Sequence, residues 1–317
     1  MSVEPKPQRI LITGATGMVG RNLVRWLQAN VNPAPALTAF GRRALDMADV
    51  ENIVPQDFAV GSLHTALAGR AFDIVIHLAA AGVNPGERDP ELLKTTNTDL
   101  PPHIVELAAY HKAQAVVIAG SSAEYRAPSD SEKLTEHSPP ESEKIYGATK
   151  AAGSRQALRL ADEIDIPTGI ARIFNVYGPG EASHRLLPSL LTKLKQGQPV
   201  PLSPGTQIRD FIYVDDICAG IWQMAQELSH RRIASAAYNL CTGIGHSVAD
   251  FSKTLAQQGS FDPALLQFGA LPMRPDDIAY LVGDPTSLQT ATGWKPKFDL
   301  TAGIAASIRD NSSGESL

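Results

Sequence analysis

The chain has few of the features that mark secreted or membrane-embedded proteins. Its 317 residues include only two cysteines, Cys218 and Cys241, which favours a reducing compartment over a disulfide-stabilised exterior. The N-terminus lacks a basic segment followed by an apolar one, and no apolar run approaches the length that spans a bilayer. These absences predict a cytoplasmic protein.

Clustered positive charge and metal-binding patterns are also lacking. Lys and Arg total 28 against 33 Asp and Glu, for a formal net charge of −5, and the basic residues are scattered. We therefore expect neither nucleic acid nor an anionic membrane as a partner. No HxxxH or CxxC spacing occurs among the His and Cys residues, so we expect no metal site.

What the chain does have is an alternation of strand-like and helix-like segments. Apolar runs flanked by turn residues predict buried strands, and they lie at 9–13, 36–40, 72–79, 115–120 and 168–174. Amphipathic stretches of helix length separate them: MVGRNLVRWLQAN, PELLKTTNTDLPPHIVELAAYH, which the Pro101–Pro102 pair interrupts, and YGATKAAGSRQALRLADEI. This alternation predicts an α/β fold with a doubly wound, mostly parallel sheet.

The first predicted strand leads into a helix through a glycine-rich turn, LITGATGMVGRNL. Gly14, Gly17 and Gly20 leave room for backbone amides and a helix N-terminus to approach a pyrophosphate. A purely structural tight turn is the alternative, but strand, turn and helix occur in the order that a dinucleotide site requires. We predict a Rossmann-like NAD(P)-binding domain over residues 8–178.

The character of the chain changes after residue 178. Prolines become more frequent, and isolated strand-like pieces such as QIRDFIYV and AAYNLC replace the regular alternation. We predict a smaller, mainly substrate-binding cap domain over residues 179–311. The two domains should interleave, with later strands and helices contributing to the first.

The end of the second strand bears on which dinucleotide is bound. An acidic residue there would bind a free adenosine ribose, but the chain has Gly41, Arg42 and Arg43 in TAFGRRALD. Two guanidinium groups suit a ribose phosphate and favour NADP over NAD, unless both are only solvated loop charges. Asp57 and Phe58 follow a third strand, which is not among the apolar runs above, in QDFAV, and they either flank the adenine or simply end that strand.

KIYGATKAAGS places Tyr146 and Lys150 four residues apart at the start of a helical stretch. This spacing sets both side chains on one helix face, where an ammonium would lower the pKa of a phenol and make it a usable acid or base. One such pair also arises by chance. Ser121 and Ser122 follow a buried strand and should lie at the carboxyl edge of the sheet, where open α/β sheets bind ligands.

Six motifs together resemble the extended short-chain dehydrogenases/reductases, in the branch of nucleotide-sugar epimerases, dehydratases and reductases. In chain order they are TGATGMVG, HLAAAG, GSSAEY, YGATK, RIFNVYGPG and RDFIYVDD. The resemblance implies that Tyr146 exchanges a proton at a sugar oxygen, Lys150 binds the nicotinamide ribose and Ser121 hydrogen-bonds the same oxygen. It further implies cofactor contacts from the two N-terminal motifs, at Thr16, Met18, Val19, Leu78, Ala79 and Ala80.

The resemblance also constrains the reaction. Sugar 4,6-dehydratases of the family carry acids in the triplet that begins at the Ser121 position, whereas this chain has Ala123, so dehydration is improbable unless Glu124 reaches the site. The Cys and the His of the enzymes that epimerise carbons 3 and 5 are missing, and Arg185 stands at the His spacing. We expect an NADPH-dependent reductase of a nucleotide-linked 4-keto-6-deoxy sugar. The alternatives are a 4-epimerase with tightly bound NAD and a non-catalytic dinucleotide-binding protein.

Further family positions imply how a nucleotide-diphosphate sugar is held. Two arginines suit a diphosphate, although Arg209 could instead pair with Asp210 and Arg274 could lie in a surface turn. The implied substrate-binding residues are Ser122, Asn175, Leu187, Arg209 and Arg274. Many relatives pair the helix that bears Tyr146 with the helix before it, so we also expect a homodimer.

Overall fold

The computed structural model describes residues 7–57, 60–84, 86–275 and 277–310. Among them, seven strands form one parallel sheet with the spatial order β11-β6-β5-β4-β1-β2-β3. In chain order these strands are β1 (Arg9–Thr13), β2 (Ala36–Phe40), β3 (Val50–Ile53), β4 (Ile74–His77), β5 (Ala115–Ser121), β6 (Thr168–Ile173) and β11 (Ala236–Leu240). The predicted Rossmann-like, doubly wound α/β fold is therefore confirmed.

Helices connect the strands and cover the sheet. In chain order they are α1 (Met18–Asn30), α2 (Val60–Ala66), α3 (Pro90–Leu93), α4 (Leu100–Tyr110), α5 (Ile145–Glu163), α6 (Leu186–Lys195), α7 (Val214–Ser229), α8 (Val248–Gln258), α9 (Thr286–Thr292) and α10 (Leu300–Asp310). A π-helical segment, Lys94–Asp99, joins α3 to α4. The proline pair lies in the first turn of α4, where missing amide hydrogens are tolerated. Within the described part of the chain, none of the helices combines the length and apolar character that crossing a membrane requires.

Alternate residues of the central strands fill separate cores on the two faces of the sheet. In β1, Ile10 and Ile12 pack into one hydrophobic cluster and Leu11 into the other, all fully buried. This two-sided burial follows from the period of two along a strand and explains why the central strands are continuous apolar runs. Each face is covered by helices.

Short strands in the C-terminal half form small separate sheets. They are β7 (Asn175–Tyr177), β8 (Val200–Leu202), β9 (Ile208–Arg209), β10 (Phe211–Tyr213), β12 (His246–Ser247), β13 (Leu266–Phe268) and β14 (Tyr280–Leu281). AAYNLC, taken as a cap piece from its position in the sequence, instead supplies the edge strand β11, paired with β6. The boundary between residues 178 and 179 remains a prediction.

Parallel pairing brings the ends of β1, β4 and β5 to one edge of the sheet. β4 pairs with β1 on one side and with β5 on the other, so the glycine turn, the HLAAAG segment and the GSSAEY segment emerge as neighbours. His77, at the end of β4, is fully buried. A 2.7 Å hydrogen bond between its Nδ1 and Thr13 Oγ1 connects the ends of β4 and β1.

Candidate active site

The glycine turn packs so closely that side chains are excluded at two of its positions. Gly14 has a φ of +70°, and a Cβ there would lie 2.6 Å from the backbone nitrogen of Ala79. A Cβ on Gly20 would lie 2.4 Å from the carbonyl oxygen of Gly14. The turn therefore brings the N-terminus of α1 against the segment after β4, which places the predicted contact residues of both segments together.

The start of α1 is arranged to receive negative charge. Gly17 is its N-cap residue and supplies no side-chain hydrogen bond, and the first turn holds no acidic residue. The first amides of the helix are therefore available to an anion, which the helix dipole also favours. Thr16, Met18 and Val19 lie in this turn, half-buried, as do Leu78, Ala79 and Ala80 in the segment after β4.

The arginines after β2 are exposed. Arg42 and Arg43 follow Gly41, whose amide donates to the carbonyl oxygen of Ile53 and so holds the turn against β3. Arg42 contributes, after hydrogen bonds from Asn84 and Gly82, to the lowered pKa of Glu87 in the loop beyond β4. Asp57 is exposed after β3, and Phe58 lies outside the described residues.

Ser121 and Tyr146 are hydrogen-bonding neighbours, and Lys150 lies one turn further along the helix that bears Tyr146. Ser121 ends β5 and caps the short 3-10 helix Ser122–Glu124, while Tyr146 and Lys150 lie on the first turns of α5. A Cβ on Gly147 would lie 2.0 Å from the carbonyl oxygen of Ala123, so α5 packs directly on the turn after β5. This close packing sets the Tyr146 phenol beside the Ser121 hydroxyl.

The pKa of Tyr146 is raised, contrary to the lowering that we expected from Lys150. Burial is the largest cause and disfavours the phenolate, and the Glu124 carboxylate adds to the effect. Hydrogen bonding from Ser121 lowers the pKa, as do the Arg185 and Arg88 guanidinium groups. The phenol is therefore protonated at neutral pH.

Lys150 points to the backbone of β5. Its Nζ donates to the carbonyl oxygen of Ala119 at 2.6 Å, and its side chain is almost wholly buried. Burial lowers the pKa of this ammonium, and the Glu124 carboxylate opposes that change. The ammonium also helps to lower the pKa of His77 to about 3, although burial of the imidazole is the larger cause.

Glu124, which we had considered as an acid for dehydration, is engaged elsewhere. Its carboxylate accepts hydrogen bonds from Ser121 N at 3.0 Å, Ser154 Oγ at 3.0 Å and Arg172 Nε at 3.0 Å. The residue is fully buried. Arg172 in turn donates to the Tyr125 hydroxyl at 2.9 Å, which links Glu124 to Tyr125.

The predicted substrate-binding residues differ in how available they are. Leu187 is 1% exposed and belongs to the hydrophobic core. Ser122 is also buried, and Arg274 is exposed. Arg209 pairs with Asp277, not with Asp210, because the Asp210 carboxylate already accepts from Thr242 and from the Gly243 amide.

Three buried side-chain oxygen atoms lack a hydrogen-bond partner among the described residues. They are Asn175 Oδ1, Glu181 Oε2 and Gln207 Oε1. Unpartnered buried acceptors are costly in a folded protein and are typical of sites that receive a ligand. Asn175 was predicted from its motif, whereas Glu181 and Gln207 were not.

Sequence reasoning assigned no role to two arginines, Arg88 and Arg185, that help to lower the pKa of Tyr146. Arg88 donates to the carbonyl oxygens of Gly82, Asn84 and Glu87 and so fixes the loop before α3. Arg185 precedes α6 and pairs with Glu181, four residues earlier. That spacing was a possible signal in the sequence, but nothing in it showed that Arg185 would help to lower the pKa of Tyr146.

Comparison with known proteins identifies the family. The model of the NAD dependent epimerase/dehydratase family matches residues 10–241. The chain belongs to this family, and the resemblance to extended short-chain dehydrogenases/reductases that the ordered motifs indicated is confirmed.

Relatives with several activities align with almost the whole chain. A dTDP-glucose 4,6-dehydratase of Streptomyces griseus is 28% identical, over 94% of this chain and 92% of its own. A GDP-6-deoxy-D-talose 4-dehydrogenase of Aggregatibacter actinomycetemcomitans is 26% identical, over 96% of this chain and 97% of the relative. A putative UDP-arabinose 4-epimerase of Arabidopsis thaliana is 26% identical, over 91% of this chain and 72% of the relative.

Solved structures share the fold. MoeE5 in complex with UDP-glucose and NAD superposes with a TM-score of 0.82 at 28% identity, over 96% of this chain and 99% of MoeE5. WbmG of Bordetella bronchiseptica in complex with NAD superposes with a TM-score of 0.83 at 24% identity, over 99% of this chain and 97% of WbmG. At this identity the similarity shows a shared fold.

The residues at the edge of the sheet fit the dinucleotide after which the family is named. The space that side chains at Gly14 and Gly20 would fill, together with the uncapped start of α1, suits a pyrophosphate. The glycine turn, the loop after β2 and the segment after β4 follow the carboxyl ends of neighbouring parallel strands and so reach this same edge.

Proposed function

We propose that this protein reduces the keto group of a nucleotide-linked 4-keto-6-deoxy sugar with NADPH. The observation that carries the proposal is the protonated, buried Tyr146 phenol beside the Ser121 hydroxyl at the edge where the family binds its cofactor. A nicotinamide cofactor supplies a hydride at such a site. The side chains then need only supply a proton and orient the sugar.

The proton-transfer roles follow from the protonation states. Reduction of a ketone leaves negative charge on its oxygen, which a neighbouring acid must neutralise. Tyr146, protonated at neutral pH, donates that proton, and the Ser121 hydroxyl polarises the same oxygen. Lys150 would hold the nicotinamide ribose, to which its ammonium must turn from the carbonyl of Ala119.

The surroundings of Glu124 argue against loss of water from the sugar. Dehydration needs an acid and a base near carbons 5 and 6, and Ala123 has no proton to exchange. Glu124, the nearest carboxylate in the motif, is fully buried and holds Arg172 and Ser154. Moving it to the substrate would leave the buried Arg172 charge unpaired, which is costly.

The choice of NADPH rests on the loop after β2. Arg42 and Arg43 are exposed there, and two guanidinium groups can pair with the phosphate that distinguishes NADP from NAD. The substrate assignment draws on the relatives, since one is named for chemistry at carbon 4 of a GDP-linked 6-deoxy sugar. In this chain, Asn175, Arg209 and Arg274 would hold the nucleotide diphosphate, and helices α4 and α5 would form the interface of a homodimer.

A 4-epimerase with tightly bound NAD is the second candidate, because relatives and related structures include 4-epimerases and NAD complexes. The absorbance of bound nicotinamide in freshly purified protein distinguishes the two. A reductase should be isolated without a full complement of cofactor and should gain thermal stability from NADPH plus nucleotide diphosphates. Stoichiometric bound NAD, with sugar interconversion and no net cofactor use, would reject the reductase.

A further inference from the structure

Gly82 lies directly against the side chain of Tyr146. It is a buried residue in the loop between β4 and α3, and its φ of +81° is one that glycine adopts readily. A Cβ at this position would lie 3.0 Å from Tyr146 Cδ2 and 2.4 Å from Leu93 Cδ2. The backbone of the loop therefore packs on the edge of the phenol ring, with no room for a side chain between them.

Two charged side chains of the same loop bind the backbone of Gly82. The Gly82 amide donates to Glu87 Oε2 at 3.0 Å, and Arg88 Nη1 donates to the Gly82 carbonyl oxygen at 3.1 Å. Both polar backbone groups of this residue are thus held by hydrogen bonds with a charged partner, which are stronger than bonds between neutral groups. We call the side chains of Glu87 and Arg88 the Gly82 clamp.

Further contacts orient the Gly82 clamp itself. Asn84 Nδ2 donates to Glu87 Oε1 at 3.0 Å. Arg88 Nη1 also donates to the carbonyl oxygens of Asn84 at 2.9 Å and Glu87 at 2.7 Å. Because Glu87 and Arg88 are exposed, their contacts should add little to the free energy of unfolding. What these contacts determine is the place of Gly82 on the ring.

The Tyr146 side chain is therefore restrained at both of its ends. Its hydroxyl has a hydrogen bond with Ser121, and the edge of its ring meets Gly82. Burial raises the pKa of Tyr146, and the Arg88 guanidinium opposes that rise, which agrees with the loop lying beside the ring. The position of Gly82 thus contributes to the direction in which the phenolic O–H bond points.

We propose that Glu87 and Arg88 clamp Gly82 against the Tyr146 ring and so hold the phenol in the orientation that proton donation requires. The catalytic part of this proposal rests on the function proposed for Tyr146. Both side chains act through Gly82, so they are positioning residues. Orientation of a reacting group matters because a displacement of about 1 Å can slow a reaction about a hundredfold.

The direct test observes the Tyr146 ring without substrate or cofactor. In protein labelled with 3-fluorotyrosine, fluorine NMR distinguishes the two orientations of a ring that flips slowly, and Tyr146→Phe assigns the signals of this residue. A loosely held ring reorients within nanoseconds and gives one averaged signal. We expect two signals for Tyr146 in the unaltered protein, and one averaged signal in both Glu87→Ala and Arg88→Ala.

The two substitutions separate the clamp from a simple effect of charge. Glu87→Ala removes an anion and Arg88→Ala removes a cation, so an electrostatic influence on the phenol would change its signal in opposite directions. Release of the clamp should change the motion of the ring in the same way in both variants. Lys94→Ala is the matched control, because it removes an exposed cation that pairs with Asp99, and it should keep both signals.

Kinetics show whether the restraint serves the reaction. We expect kcat to fall about tenfold in Glu87→Ala and in Arg88→Ala, with KM for NADPH changed by less than about twofold. The double variant should lose little more than either single variant, since both side chains act through Gly82. One averaged signal in the unaltered protein, two retained signals in either variant, or an unchanged kcat once the ring is released would overturn the proposal.

Failure of the proposed function gives a different result. If Tyr146→Phe retains full activity, Tyr146 is not the proton donor, even where the NMR signals show that its ring is held. If Tyr146→Phe is inactive but both clamp variants keep two signals, the proton donor stands and only the role of Glu87 and Arg88 is lost.

Discussion

Arg172 Nε donates to Glu124 Oε2 at 3.0 Å, which forms an ion pair at the turn after β5. Glu124 is fully buried and the Arg172 side chain is only 13% exposed. The same carboxylate accepts the Ser121 amide, so the pair also fixes the end of β5. Loss of this ion pair should therefore destabilise the fold and also displace the Ser121 hydroxyl.

Loss of one partner of this pair should be strongly destabilising. Arg172→Met leaves the Glu124 charge buried and unpaired, which is expected to cost about 3–5 kcal/mol of unfolding free energy. Denaturant unfolding measures the change. Arg159→Met is the matched control, because its pair with Glu163 is exposed and should contribute less than about 1 kcal/mol. Equal effects of the two substitutions would contradict the assigned role of the pair.

Gly14 and Gly41 offer a comparison within the proposed cofactor site. Gly14→Ala introduces a Cβ 2.6 Å from the Ala79 backbone at a φ of +70°, so it should distort the turn and weaken dinucleotide binding at least tenfold. Gly41→Ala meets nothing within 4 Å and should leave binding nearly unchanged. Fluorescence titration with NADPH measures both affinities. Normal affinity in Gly14→Ala would rule out this turn as the pyrophosphate site.

The arginines after β2 should discriminate between the two dinucleotides. Arg42→Gln with Arg43→Gln removes the charge proposed to pair with the ribose phosphate, so affinity for NADPH should fall about tenfold to a hundredfold. Affinity for NADH should stay within about twofold, because NADH lacks that phosphate. Competition binding of the two cofactors gives the ratio. An equal loss for both would show that the arginines do not select NADP.

His77 should make stability depend on pH. Burial lowers its pKa to about 3, whereas the unfolded chain binds the proton near the usual value of 6.5. The unfolded state therefore binds more protons below pH 6.5, and stability is lost as the pH falls from 6.5 toward 3. At pH 5 the contribution of this residue is a loss on the order of 2 kcal/mol.

Paired denaturation curves at pH 7 and pH 5 test that linkage. His77→Asn cannot bind the proton, so the difference in stability between the two pH values should shrink relative to the unaltered protein. His103→Asn, in which an exposed imidazole is replaced, should keep the full difference. An unchanged pH dependence in His77→Asn would mean that other groups control acid sensitivity.

The sequence was sufficient for features that depend on neighbours along the chain. Strands β1 and β2 have the predicted bounds, because each is a continuous apolar run next to turn residues. The glycine turn follows from strand, turn and helix in the order that a dinucleotide site requires, and the approach of Tyr146 to Ser121 was implied by the resemblance to the family. These elements place the candidate site at the predicted edge of the sheet.

Features that depend on contacts between distant segments were not predictable. β3 was absent from the predicted apolar runs because VENI has exposed polar residues, and β11 was placed in the cap because nothing near it shows its pairing with β6. The raised pKa of Tyr146 is likewise a consequence of burial by other segments. Helical spacing put Lys150 near the phenol but could not show that its ammonium binds Ala119.

The central claim is that Tyr146 gives a proton to a sugar ketone as NADPH reduces it. The most direct measurement uses NADPH carrying deuterium at the transferred position of the nicotinamide, a nucleotide-linked 4-keto-6-deoxy sugar, and NMR of the product. We predict one deuterium at carbon 4 for each NADPH oxidised, and a rate about a hundredfold to ten-thousandfold lower in Tyr146→Phe. Sugar conversion without NADPH oxidation, or an unchanged rate in Tyr146→Phe, would contradict it.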